Sequence, residues 1–211
     1  MTVARNVEIK ARVADPAALR ARVAARAAAG PVVTTQTDTF FATPRGRLKL
    51  RDFGDGSGEL IFYERADVAG PRESRYTRAG CAEPAALAGL LGAALGVRGV
   101  VRKRRELFLL GRTRIHLDDV AGLGCFMEIE VVLADGEAAA DGEREARALL
   151  AALEVPAAAL VARAYVDLLE EGTARAALTR TSATARPAPI AARPASPSAA
   201  TSPPSTRSEP S

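Results

Sequence analysis

Asn6-Val7-Glu8-Ile9-Lys10-Ala11-Arg12-Val13 is the stretch whose reading decides the fold. Side chains alternate faces along a β-strand, so Asn6, Glu8, Lys10 and Arg12 share one face and Val7, Ile9, Ala11 and Val13 the other. A carboxylate crowded with two cations on one face is unusual, and the mixture recurs. Arg45, Arg47, Lys49 and Arg51 share a parity, with Leu48 and Leu50 opposite. Arg114, His116 and Asp118 alternate with Ile115 and Leu117, and Glu128 and Glu130 with Met127, Ile129 and Val131. Any one of these strands describes a sheet with one face in water. Complementary charges on strands so far apart in sequence point instead to an enclosed polar cavity suited to a metal ion and a polyanion.

Around the first strand the punctuation is regular. Asp15 before Pro16 is a cap followed by proline at the first helical position, predicting a helix that runs to Gly30. Extended segments follow at 34–41, 46–53, 59–66 and 73–79, separated by turn formers such as Thr43-Pro44-Arg45-Gly46 and Gly54-Asp55-Gly56-Ser57-Gly58. A second helix is predicted from Pro84 to Leu95 with Gly96 as its stop, then strands at 100–110, 112–120 and 125–133, then helices at 141–153 and 156–171. Short links imply antiparallel neighbours. The expected fold is α+β, an eight-stranded closed antiparallel β-barrel in meander order with flanking helices, since closure removes exposed edges.

The basic character of the chain belongs to its end. Residues 173–211 hold five arginines and one glutamate, which accounts for the whole net charge of +4 and leaves residues 1–172 with 24 bases and 24 acids. That end is rich in Ala, Pro, Ser and Thr, a composition predicting a disordered tail behind a single domain over 1–172. Its spread-out arginines give nucleic acid at most a weak hold. Cys81 and Cys125 form no metal or disulfide spacing and read as small buried residues. No secretory leader and no membrane-length apolar run are visible, so a cytoplasmic protein without a membrane partner is expected.

Within the cavity the acids Glu8, Glu128 and Glu130 form the oxygen-rich set that hard divalent ions prefer, and Mg²⁺ or Mn²⁺ is the expected cofactor. The cations Lys10, Arg12, Lys49, Arg51, Lys103 and Arg105 are suited to orient phosphate oxygens, arginine by forked two-point contacts. Carboxylates beside cations suit a metal-bound triphosphate.

These residues resemble the CYTH superfamily of triphosphate tunnel proteins, and most closely its class IV adenylyl cyclase-like branch. The resemblance spans about 5–169. Its carriers are Asn6-Val7-Glu8-Ile9-Lys10 for the ExExK strand, Gln36-Thr37-Asp38-Thr39-Phe40-Phe41, Gly46-Arg47-Leu48-Lys49-Leu50-Arg51, Lys103-Arg104-Arg105, His116-Leu117-Asp118, Gly122-Leu123-Gly124, Phe126-Met127-Glu128-Ile129-Glu130 and Tyr165-Val166-Asp167-Leu168-Leu169. It implies that Glu8 and Glu128, assisted by Glu130, ligate the metal, and that Lys10, Arg51, Lys103 and Arg105 hold the triphosphate. Asp118 is implied near the reacting end, giving Asp118 and Lys10 as catalytic candidates. Arg12, Lys49, Arg65, Arg75, Arg78 and Arg114 are further candidates whose facing the sequence leaves open.

Three departures from the family pattern stand out. Asn6 replaces the first glutamate of the signature and removes one anionic ligand. Glu64 falls near a lysine of some relatives, with Arg65 as its substitute, and Ala164 replaces a serine. The implied activity is conversion of ATP to cyclic AMP and pyrophosphate. The alternatives are hydrolysis of thiamine triphosphate, inorganic triphosphate or a nucleotide, and binding without turnover; a homodimer is left open. Truncation after Gly172 is expected to remove most salt-sensitive binding to nucleic acid while leaving triphosphate affinity unchanged, measured by titrations at two ionic strengths.

Overall fold

In the computed structural model, which describes residues 3–184, strand β1 (Ala4–Arg12) pairs antiparallel with two strands remote in sequence. One is β5 (Arg72–Cys81), in register from Ala4↔Tyr76 to Glu8↔Arg72; the other is β8 (Gly124–Val132), from Asn6↔Val132 to Arg12↔Phe126. With β2 (Ala29–Phe41), β3 (Arg47–Asp52), β4 (Gly58–Arg65), β6 (Val97–Leu110) and β7 (Thr113–Val120), they close a ring in the order β1-β5-β4-β3-β2-β6-β7-β8. The expected barrel is thus present, yet it is not a meander. The links from β1 to β2 and from β5 to β6 both skip neighbours, and each carries a helix, α1 (Pro16–Ala24) and α2 (Pro84–Leu95). A hairpin turn joins only adjacent strands; a helix spans the wider gap.

Two helices also differ from their expected extents. Asp15 caps α1 by accepting the Ala18 N–H at 3.0 Å, but the helix ends at Ala24 because β2 begins at Ala29. At Gly30, with φ +114°, a Cβ would lie 2.6 Å from the Leu107 carbonyl oxygen, so only glycine lets β2 run this close to β6. The helix predicted over 156–171 is divided. A 3₁₀ turn at Ala157–Ala159 gives way to an extended stretch, in which Leu160 bridges to Ala11 and the Val161 N–H donates to the Lys10 carbonyl, before α4 (Tyr165–Thr184) begins. α4 passes the boundary expected at residue 172, and the remainder of the expected tail, 185–211, lies outside the described residues.

The larger hydrophobic core lies outside the barrel. Val7, Ile9, Ala11, Ile115, Met127, Ile129 and Val131, each 0 or 1% exposed, pack beneath Leu19 and Val23 of α1 and Ala146, Leu149 and Leu150 of α3 (Ala139–Ala152). A second cluster of Phe40, Val101, Val120 and Phe126 packs against Ala164, Tyr165 and Val166. On β1, β7 and β8 the apolar parity therefore faces α1 and α3 and the charged parity faces inward, whereas the second cluster is built on the inward parity, Phe40 with Asp38, Val101 with Lys103 and Phe126 with Glu128. Cys81 and Cys125 are free and partly buried. No helix among the described residues is long and apolar enough to cross a membrane.

Because Ile129 is fully buried between barrel and helices, Ile129→Ala should cost ~2–5 kcal/mol of unfolding free energy in denaturant titration.

Candidate functional site

All eight strands contribute side chains to one interior cavity of ≈ 320 Å³. Its acidic wall is built by cross-strand register, which sets directly opposed side chains about 5 Å apart. Lys10, Glu128 and His116 form one row across β1, β8 and β7; Arg72, Glu8, Glu130 and Arg114 form the next across β5, β1, β8 and β7. Glu128 bridges the Lys10 ammonium at 3.2 Å and Arg105 at 2.7 Å. Glu8 accepts from Arg72 at 3.2 Å and meets Arg65 at 3.1 Å, and Glu130 pairs with Arg114 at 3.2 Å. Burial drives the Glu128 carboxyl up, but Lys10, the neighbouring His116, Arg105 and Lys103 together outweigh it and hold it well below the ordinary range.

Opposite stands a cation triad assembled on one carboxylate. Asp38 of β2 accepts from Lys49 at 3.0 Å, from Arg51 at 2.8 and 2.9 Å, and from Lys103 at 3.0 Å. Burial would raise the Asp38 carboxyl, yet Arg51, Lys103 and Lys49 together hold it well below the usual range. Burial lowers the lysines, because the charged form loses its water: Lys103 and Lys10 fall, and Lys49 drops to about 7. Three cations share one acid here. Such a surplus of positive charge is suited to a polyanion.

The two walls meet at Arg105, whose guanidinium makes a forked pair with Asp118, both bonds 2.6 Å. The Tyr165 hydroxyl donates to the same carboxylate at 3.0 Å, and the Lys10 ammonium lies 3.7 Å from the centre of the Tyr165 ring. Lys10 also donates to the Arg163 carbonyl and Arg65 to that of Ala162, so the extended stretch before α4 lies against this part of the cavity. Asp167 anchors the start of α4, accepting from the Ala164 N–H, Arg47 and Arg98.

Of the expected site residues, Glu8, Lys10, Lys49, Arg51, Arg65, Lys103, Arg105, Arg114, Glu128 and Glu130 line the cavity together. Arg12 and Asp118 do not. Arg12 is exposed at the end of β1, 4.8 Å from the centre of the Phe126 ring, where the strand leaves the barrel wall. Asp118 has the interior parity but sits behind Arg105, its side chain 0% exposed, so it orients that arginine without facing the cavity. Among the looser candidates, Arg78 reaches the cavity edge and Arg75 is exposed beside Glu73. Sequence reasoning gave no role to Asp38 or Arg72. Asp38 shares parity with Gln36 and Phe40 inside a quoted motif; the signal was an acid facing three cations on β3 and β6, legible only once the strand order is known.

For a divalent ion the donors that come together are His116, Glu128 and Glu130, with one ligand atom from each within 4.8 Å of the others. Glu8 is not in that group; Arg65 and Arg72 hold it. Among the buried polar atoms of the cavity wall without a hydrogen-bond partner, His116 Nδ1 belongs to this group, so the donor set fits a cation.

A closed antiparallel barrel with a charged interior and an external core defines a tunnel protein. The CYTH domain pattern matches residues 4–165, and the chain belongs to the CYTH domain family. The PH1012 protein of Pyrococcus horikoshii is similar in fold, with 22% identity, a TM-score of 0.70 and coverage of 77% of this chain and 98% of that one. A proposed adenylate cyclase of Vibrio parahaemolyticus shares 22% identity over 78% of this chain and 97% of its own, TM-score 0.63. HpAC1 of Hippeastrum, a proposed adenylyl cyclase revealing a dominant triphosphatase activity, shares 15% identity over 79% and 96%, TM-score 0.56. No curated protein matches the chain in sequence.

With burial lowering its ammonium pKa to about 7, Lys49 should make anion binding pH-dependent, because only its charged form attracts phosphate and binding would draw its pKa back up. Affinity should be full below pH 7 and decline above it. Between pH 7.5 and 9, where a terminal phosphate of pKa about 6 is already ionised, triphosphate affinity should fall by up to about tenfold per unit. Calorimetry should show Lys49→Arg, which stays charged, with a flatter profile; an unchanged slope assigns the dependence elsewhere.

Proposed function

We propose that this protein is a metal-dependent phosphotransfer enzyme acting on an organic triphosphate, with conversion of ATP to cyclic AMP and pyrophosphate as the leading reaction. The observation that carries the reading is the cavity itself. Lys49, Arg51 and Lys103 gather on one wall and Lys10 and Arg105 on the other, with the paired acids Glu128 and Glu130 beside them. Family membership supports it, and so do the relatives described as adenylate cyclases. Apolar wall residues Val32, Phe53, Ile61 and Leu107 offer a surface for an organic group next to the cations.

The chain's own residues do three things in this scheme. Lys49, Arg51 and Lys103, preassembled on Asp38, take up the phosphate chain with little reorganisation. Arg105, held flat by Asp118 and Tyr165, stabilises charge developing at the reacting phosphorus, and Lys10 neutralises the neighbouring oxygens. Glu128 and Glu130 are the carboxylates that hold the divalent ion, with Glu8 across the strand pair from Glu130. When bound, the ion neutralises phosphate oxygens and stabilises the leaving group. The ribose 3′-oxygen attacks the α-phosphorus, the bond from that phosphorus to the bridging oxygen breaks, and its electron pair leaves with pyrophosphate. The 3′ proton passes to solvent water, since Glu128 and Glu130, whose carboxyls neighbouring cations hold below the ordinary range, are weak bases. Catalysis is chiefly positioning and charge stabilisation.

The second reading, hydrolysis at the terminal phosphorus, uses the same residues and is favoured by the triphosphatase activity described for HpAC1. Incubation with ATP, inorganic triphosphate and thiamine triphosphate, each with Mg²⁺ or Mn²⁺, separates the two. Cyclic AMP with pyrophosphate is the expected product pair; orthophosphate alone selects the hydrolase, and binding without product leaves a binding module. Glu128→Gln, which removes charge at nearly constant volume, should lower turnover at least a hundredfold, with the circular dichroism spectrum unchanged.

A further inference from the structure

The sole histidine of the chain extends the metal reading given above, on which this inference rests. His116 stands on β7 directly opposite Glu128 on β8, its side chain 6% exposed. Its Nδ1 lies 3.8 Å from Glu128 Oε2 and 3.7 Å from Glu130 Oε1. Both separations exceed a hydrogen bond, and Nδ1 has no other partner. A buried ring nitrogen aimed between two carboxylates at that spacing is a poor hydrogen-bonding arrangement. It is a good ligand arrangement, because donors about 2.1 Å from one ion lie roughly 3–4.2 Å from each other.

The rest of the acidic wall limits which donors can join His116. Glu8 is occupied by Arg65 and Arg72, and Asn6, the polar residue next along β1, offers only a neutral amide oxygen. Two glutamates remain, and both also neutralise cations, Glu128 with Lys10 and Arg105, Glu130 with Arg114. Mg²⁺ keeps much of its octahedral shell as water and gains nothing from a nitrogen donor. An imidazole shifts preference toward first-row transition ions, following the softness of the ligand and the order of divalent affinities.

We propose that His116 Nδ1 is a direct ligand, with Glu128 and Glu130, of a site that selects Mn²⁺ or a later first-row divalent ion over Mg²⁺. The hydrogen-bonding role of a wall histidine does not account for an Nδ1 that makes no hydrogen bond.

The test needs no variant at first. Mn²⁺ added to the full-length protein is examined by pulsed electron paramagnetic resonance for coupling to a single bound imidazole nitrogen, and Mn²⁺ and Mg²⁺ affinities are measured by calorimetry. Nitrogen coupling in the wild type, its loss in His116→Gln, and a fall of at least tenfold in Mn²⁺ affinity against less than twofold for Mg²⁺ are expected. Bound Mn²⁺ without nitrogen coupling overturns the proposal, as does an equal loss of both ions in the variant or no Mn²⁺ binding at all. Metal-free binding of inorganic triphosphate is measured in parallel. Its retention beside a missing nitrogen signal removes His116 alone, whereas its absence removes the proposed function whatever the metal result.

Discussion

Charges taken out of water must be answered by other charges, and this barrel is organised around that requirement. Desolvating an ion costs several kcal/mol even after relaxation, so an interior carrying Asp38, Lys103, Arg105 and Asp118 at a few per cent exposure holds only if partners meet across strands. They do, in rows set by register. Shifting any strand by one residue would turn its charges outward to the helices and its apolar residues into the cavity. Charge pairing thus specifies register from inside, as hydrophobic packing does from outside.

The two jobs are physically separated. Most of the apolar packing lies beneath α1 and α3, with a smaller cluster around Tyr165, while the rest of the interior is free to carry charge. A conventional barrel fills its centre with side chains; here that centre remains a cavity of ≈ 320 Å³. Because the ring is closed, the polar wall has no exposed edge through which strands of another chain would pair.

Within the cavity the protein's own acids stand where a polyanion would act. Asp38 draws three cations together, and Asp118 with Tyr165 fixes the plane of Arg105. Their work is to keep a positive surface assembled, whose lysine ammonium pKa values burial lowers. The contact of Tyr165 with Asp118 links this surface to the start of α4, so the same element that packs with Phe40, Val101 and Phe126 also orders the site.

The sequence by itself determined the strands, their facing and most of the cavity wall, because alternation is a local property of extended chain: Glu8, Lys10, Arg51, Lys103, Glu128 and Glu130 were legible from parity and order. It also carried the family. Strand order was not legible, since the links through α1 and α2 read the same whether or not they skip a neighbour. Nor was the break before Tyr165, where an extended stretch satisfies its backbone against Lys10 and Ala11 in a segment whose composition reads as helix. The tertiary structure alone decided which like-faced charges touch. It gave Asp38 to three cations, Glu8 to Arg65 and Arg72, and Nδ1 of His116 to the gap between Glu128 and Glu130, because contact across a barrel depends on register between strands tens of residues apart, which no local pattern encodes.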